Sequence, residues 1–268
     1  MTGVQTCALP IYNYESIRGE NVKIYGIGIY QHMSADVAIQ GIAQDYISLF
    51  VGIPLLLISL YGFRKGSLRS QFILTGILGY FLVTFLFYTS MAMYNVLFLL
   101  YVTLLSLSFF ALLVSLLSFD LNNLINKFSI KTPNKFLGGF LIANSVLIAL
   151  LWLSIIVPPL IDGSIYPFAL QHYTTLIVQG LDLGLLLPLA FISGLLFIKN
   201  RPVGYLAATT YIIFLSILMT ALTAKIVAMA LNDVNVVPAI FIIPLINLIT
   251  IFCSFLVIKN ISNLKKTI

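Results

Sequence analysis

Seven apolar runs, each approaching the roughly 20 residues that cross a hydrocarbon core as a helix, fix what this chain can fold into. They cover about Tyr46 to Phe63, Phe72 to Ala92, Val96 to Ser118, Leu137 to Val157, Leu183 to Ile198, Val203 to Ala230 and Val236 to Ile258, spans A to G below. Only 8% of the 268 residues are charged and 60% are hydrophobic, whereas soluble domains carry about 25% charged residues. Too few charges exist to surround a water-soluble core. The fold class is therefore all-α, a polytopic transmembrane helix bundle.

The charges that do exist are sorted. Of 14 Lys and Arg, 11 fall in four short segments: Arg64, Lys65 and Arg69 between A and B; Lys127, Lys131 and Lys135 between C and D; Lys199 and Arg201 between E and F; and Lys259, Lys265 and Lys266 in the tail. The alternate segments hold only Arg18 and Lys23 against Glu15, Glu20, Asp36, Asp45, Asp162, Asp182 and Asp233. Positive residues are retained on the cytoplasmic side, so the expected topology has a cytoplasmic C-terminus and an exterior start, in the cell (inner) membrane. Trp152, Tyr166 and Tyr173 on one side, with Tyr61 and Tyr205 on the other, suit the headgroup level. The net charge of +6 is explained by these flanks, and no nucleic-acid partner is expected. The lipid bilayer is the expected partner, with a small polar solute or ion as a possible second.

Residues 12–45 form an exterior polar segment and 46–268 the transmembrane helical domain. Within the former, Val22, Ile24, Tyr25, Ile27 and Ile29 alternate faces through Gly26 and Gly28, which predicts a short strand or hairpin. Gly26-x-Gly28 lacks the third glycine of a dinucleotide fingerprint, Gln31 standing in its place. Met1 to Ile11, MTGVQTCALPI, has neither a charged leader nor a sufficient apolar stretch, and so fails as a signal peptide. Read as codons, it resembles a translated sequencing-library adapter fused to a truncated gene, and it is set aside as an artefact. On that reading the natural N-terminus is missing. No internal repeat is visible in the residues.

Chemistry-bearing residues are sparse. Ionisable groups inside a membrane cost about 2.5–3.5 kcal/mol by insertion scales unless paired. Asp45, beside Gln44, opens span A, Asp182 opens span E, and Lys225 lies near the exterior end of span F. Together with Asn95 at the B/C turn they share one depth, and Gln44, Asp45, Asn95, Asp182 and Lys225 form the candidate exterior polar site, where Asp45 and Asp182 are expected to approach each other. The competing reading is ordinary helix-end charges, with the aspartates at helix N-termini and Lys225 snorkelling. Thr209, Ser216, Thr220 and Thr223 stripe one face of span F, and Gly180, Gly184, Ala190 and Gly194 line one arc of span E; both patterns suit helix packing. Pro54, Pro188 and Pro244 permit kinks. His32 and His172 both lie outside the spans, Cys7 and Cys253 offer no disulfide framework, and no nucleophile elbow, metal helix or P-loop occurs. No cofactor and no metal are expected.

Between Arg18 and Tyr205 the chain carries Arg18-Gly19-Glu20, Tyr25-Gly26-x-Gly28-x-Tyr30, Ala43-Gln44-Asp45, Gly52-Ile53-Pro54-Leu55-Leu56, Arg64-Lys65-Gly66-Ser67-Leu68-Arg69, Asn95-x-Leu97-Phe98-Leu99-x-Tyr101, Leu181-Asp182-Leu183 and Arg201-Pro202-x-Gly204-Tyr205. With these pieces it resembles an uncharacterised family of prokaryotic polytopic integral membrane proteins. The resemblance implies one further helix before the exterior segment, giving eight spans with both termini inside; it implies no activity, and it does not reach Lys225. The function expected from the residues is non-enzymatic, a sensing or assembly role built on the exterior polar cluster. The alternative is a small-solute or ion transporter, ahead of an intramembrane enzyme.

Overall fold

The computed structural model describes residues 11–262. Residues 1–10 of the adapter-like segment, and Lys265 and Lys266 of the tail, lie outside the described residues. Seven helices are long and apolar enough to cross a membrane, and the chain is an all-α bundle of a multi-pass membrane protein. Large apolar side chains face outward along them, Leu99 at 75%, Leu147 at 64% and Phe241 at 73% exposed, as lipid contact requires.

A hairpin comes first: β1 (Tyr12–Glu15) pairs antiparallel with β2 (Asn21–Ile24), Tyr12 opposite Ile24. Gly26 and Gly28, both with positive φ, then turn the chain into a single 3-10 turn, Gly28–Tyr30. Span A is one continuous helix from Ala35 to Arg64, so it begins well before Tyr46 and takes in Gln44 and Asp45. It has three parts: α1 (Ala35–Ile47), a π-helical segment (Ser48–Gly52) and α2 (Ile53–Arg64). Span B is α3 (Leu68–Ser90), whose N-cap Ser67 accepts from the Ser70 amide; span C is α4 (Phe98–Leu117) and span D is α5 (Asn134–Asp162). α5 runs through Pro158 and Pro159 and stops at Gly163, which takes the left-handed conformation. Span E again has three parts, α6 (Ile177–Leu181), a π-helical segment (Asp182–Leu186) and α7 (Leu187–Ile198). α8 (Pro202–Leu231) and α9 (Ala239–Lys259) complete spans F and G.

The structure shows a tandem arrangement that the residues alone conceal. Spans A to C and spans E to G follow the same plan: a π-helical turn, a proline at the start of the next helical segment, a left-handed residue, a long central helix and an Asn-capped return. Pro54 and Pro188, the left-handed Gly66 and Asn200, and the helix starts Leu68 and Pro202 are each separated by the same 134 residues. At the third helix Asn95 Oδ1 accepts the Leu97 amide at 2.9 Å and Asn235 Oδ1 accepts the Val237 amide at 3.1 Å. Span D separates the units, so both run in the same direction across the bundle.

The central helices α3 and α8 pack on each other, and each also packs on its own unit's neighbours, α2 and α4 or α7 and α9. At the α3–α8 crossing a Cβ on Gly76 would lie 2.5 Å from Ile213 Cγ2, so only glycine permits this approach. The outer halves of the π-bearing spans cross over: α1 packs on α8, and the short α6 touches α3. Span D joins through α7, where Gly138 and Gly194 meet so closely that a Cβ on either would lie 2.6 Å from the other's carbonyl oxygen. Of the small-residue arc on span E, Ala190 and Gly194 serve this packing, whereas a Cβ on Gly180 or Gly184 would meet nothing within 4 Å. The main core gathers around α3 and α8, with Phe72, Ile77, Tyr80, Ile212 and Phe197 fully buried.

Candidate functional site

One end of the bundle is capped. The cap's small core holds Tyr25, Tyr30, Met33 and Ala38, with Ile29, Ala92 and Met93 against them. The loop after α5 is stitched to it. Arg18 donates to the Gln171 and Tyr173 carbonyls at 3.1 and 3.0 Å and sits 5.2 Å from the centre of the Tyr166 ring. Gln171 Nε2 donates to the Asp36 carboxylate at 3.1 Å, the Tyr173 and Ser34 hydroxyls lie 3.3 Å apart, and His172 Nε2 lies 3.0 Å from the His32 carbonyl.

Beneath the cap the candidate residues separate into two groups. Tyr30 reaches down from the cap along α1: its ring lies against Gly41, where a Cβ would come within 2.5 Å of Cε1. Its hydroxyl donates to Asp45 Oδ2 at 2.7 Å, and the Tyr88 hydroxyl of α3 donates to Oδ1 at 2.6 Å. Burial, with the Asp45 charge beside it, raises the Tyr30 phenol above its ordinary pKa, and burial does the same for Tyr173. Gln44 turns the other way, donating from Nε2 to the Tyr80 hydroxyl at 2.6 Å and to Thr84 Oγ1 at 3.1 Å, and the Ser48 hydroxyl lies 2.9 Å from the same Tyr80 oxygen. Tyr80, Thr84 and Tyr88 recur every fourth residue, so one face of α3 presents a ladder of hydroxyls to α1.

The second group surrounds Asp182. Trp152 of α5 donates from its indole to Asp182 Oδ2 at 2.8 Å. Tyr211 of α8 donates to the Leu186 carbonyl at 3.0 Å, satisfying an acceptor at the end of the π-helical segment just before Pro188. Lys225 of α8 lies within electrostatic reach of both Asp182 and Asp45 and makes no side-chain hydrogen bond to either.

Asp45 and Asp182 thus do not share a hydrogen bond; each has its own partners, Tyr30 and Tyr88 for the first and Trp152 for the second. Neither aspartate lies in the first turn of its helix; Asp36 occupies that place in α1, so the helix-end reading does not describe Asp45. Asn95 has a structural role, donating to the Ile29 and Met93 carbonyls at 3.3 and 3.2 Å while capping Leu97. It makes no hydrogen bond to either carboxylate. Tyr30, Tyr88 and Trp152 are the site residues that the sequence reading passed over. Three of the four hydroxyls of the span F stripe bond within their own helix, Ser216 to Ile213, Thr220 to Ser216 and Thr223 to Met219, with Thr220 also 3.3 Å from Asn247 Oδ1, whereas the buried Thr209 hydroxyl has no partner among the described residues. Among the described residues, no group of three or more His, Cys, Asp or Glu could hold a metal ion.

These features describe a multi-pass membrane protein whose Asp45 and Asp182 belong to two separate hydrogen-bonded groups. Comparison of the chain with protein-family models, with curated proteins and with solved structures finds no match.

Proposed function

We propose that this protein is a non-enzymatic membrane sensor in which the state of the Asp45–Lys225–Asp182 cluster is read out by the cap. One observation carries the reading: Tyr30, a cap residue, donates to the carboxylate of Asp45, a membrane-helix residue within electrostatic reach of Lys225. Binding of a small polar solute or ion, or a change in charge at Asp45, alters what Tyr30 can bond, and the cap follows. The loop charges support a cap outside the cell (inner) membrane and a cytoplasmic C-terminus. The test is amide hydrogen exchange of residues 25–34 in the reconstituted full chain, comparing wild type with Asp45→Asn and Lys225→Met. Protection that drops in both variants, and responds to ions only in the wild type, is expected; identical protection in all three would sink the proposal.

A second reading, a small-solute or ion transporter, is favoured by the two π-helical, proline-bearing spans. Transporters built from parallel repeats bind substrate where the repeats meet, at interrupted helices. Spans A and E are interrupted at corresponding positions. Uptake of small solutes and ions into proteoliposomes, compared with Asp45→Asn and Asp182→Asn, separates this reading from the first, since a sensor without transport gives no uptake in any of them.

A further inference from the structure

An open cavity of about 890 Å³ lies at the end of the bundle away from the cap and shares no residue with the Asp45–Lys225–Asp182 cluster. That size suits a small ligand. Three segments frame it: the turn joining α2 to α3, the connection that leaves α4 at Ser118, and Ser262 after α9. The frame is fastened by the protein's own bonds. Gln71 Nε2 donates to Ser118 Oγ at 2.9 Å, the Ser262 amide donates to the Lys127 carbonyl at 2.7 Å, and Phe128 bridges to Ile261. Arg69 is used here structurally, donating to the Ile261 carbonyl at 2.8 and 2.9 Å and to that of Lys259 at 3.3 Å.

Arg64, Lys65 and Lys127 instead line the cavity, against a single lining acid, Asp120, which accepts from Asn123 at 2.7 Å. The start of α3, with Leu68 in the cavity wall, adds the positive end of a 23-residue helix, a setting that favours anions. Depth points to the source of the anion. The apolar stretch of span A ends at Arg64, and Lys65 lies 5.4 Å from the centre of the ring of Tyr61, which is 66% exposed; aromatic rings at a span end sit at headgroup level.

We propose that this cavity binds the phosphate of an anionic phospholipid headgroup through Arg64, Lys65 and Lys127, beside the positive end of α3. Free phosphate shares the chemistry, so the test must distinguish the two sources. The full chain is reconstituted in phosphatidylcholine vesicles with spin-labelled phosphatidylglycerol or spin-labelled phosphatidylcholine, and the motionally restricted fraction of each label is measured. A preference for phosphatidylglycerol is expected, falling about fivefold for each cavity cation removed by Arg64→Gln, Lys65→Gln or Lys127→Gln. Arg64→Lys with Lys127→Arg should keep it, and the triple control Lys131→Gln/Lys135→Gln/Lys199→Gln should lose far less of it than the triple Arg64→Gln/Lys65→Gln/Lys127→Gln, which removes the same charge. Equal loss in control and cavity variants, or no preference in the wild type, overturns the site. Saturable binding of inorganic phosphate in pure phosphatidylcholine, without any preference for phosphatidylglycerol, overturns the lipid assignment.

Discussion

The Tyr30 hydroxyl donates to one oxygen of Asp45 at 2.7 Å while Tyr88 occupies the other oxygen at 2.6 Å, so cap and membrane helix share one carboxylate. Hydrogen bonds to charged groups contribute about 1.5–3 kcal/mol. Tyr30→Phe should therefore raise amide exchange in residues 25–34 by about tenfold or more, with a smaller effect on the bundle. Gly41→Ala should do the same by displacing the Tyr30 ring. Unchanged exchange in both variants would show that the contact does not hold the cap.

Asp182 and Lys225 lie within electrostatic reach of each other without a shared hydrogen bond. Removing one partner of a buried charge pair leaves the other uncompensated, whereas replacing both with apolar groups is often neutral or stabilising. Asp182→Asn alone should destabilise the bundle by about 1–3 kcal/mol, less than a contacting pair would lose. Adding Lys225→Met should recover part of that. A double-mutant cycle on unfolding in detergent measures the coupling; strict additivity would mean that the two charges do not sense each other.

Tyr30 and Tyr173 both have phenols raised by burial. Below about pH 10, the ordinary tyrosine value, both are neutral whether the cap is docked or free, and docking has its full stability. As pH climbs past that value the free cap's phenols ionise first, and docking weakens with rising pH. Tyrosinate absorbance followed alongside hydrogen exchange should show the cap loosening on the alkaline side. The pH dependence should flatten in Tyr30→Phe and in Tyr173→Phe. Equal slopes in all three proteins would place the effect elsewhere.

The α5–α7 crossing depends on two glycines whose missing side chains let backbone meet backbone. Gly138→Ala or Gly194→Ala should cost about 1–3 kcal/mol through overpacking. Gly180→Ala, where a Cβ meets nothing within 4 Å, should be nearly neutral. Thermal melts of the three variants in one detergent test this ranking, and similar melting temperatures would contradict it.

Much of this architecture was legible because apolar length and alternation report it directly: all seven spans among the described residues, and the hairpin near Val22 and Ile24. The start of span A was not, because Asp36, Gln40, Gln44 and Asp45 dilute the apolar signal of a helix whose first turns face the cap rather than lipid. Tyr80, Thr84 and Tyr88 carried a readable signal, a polar residue every fourth position in an apolar helix, yet tyrosine at span ends is also an ordinary interfacial residue. Trp152 was read that way, and only tertiary packing shows its indole aimed at Asp182. The tandem units were hidden for another reason: what repeats is backbone geometry, and Gly66 and Asn200 fill the same left-handed position with different residues.

The exchange of outer halves, α1 onto α8 and α6 onto α3, makes each unit depend on the other. Neither central helix is fully walled by its own segment of chain, so the halves are not independent folding domains in the sense that each can bury its core alone. Cut within the loop before α5, the two fragments would each leave part of α3 or α8 uncovered, and would be expected to need co-translation or mixing to recover. The molecule should accordingly behave as a pair of complementing fragments joined by one chain, melting in a single transition.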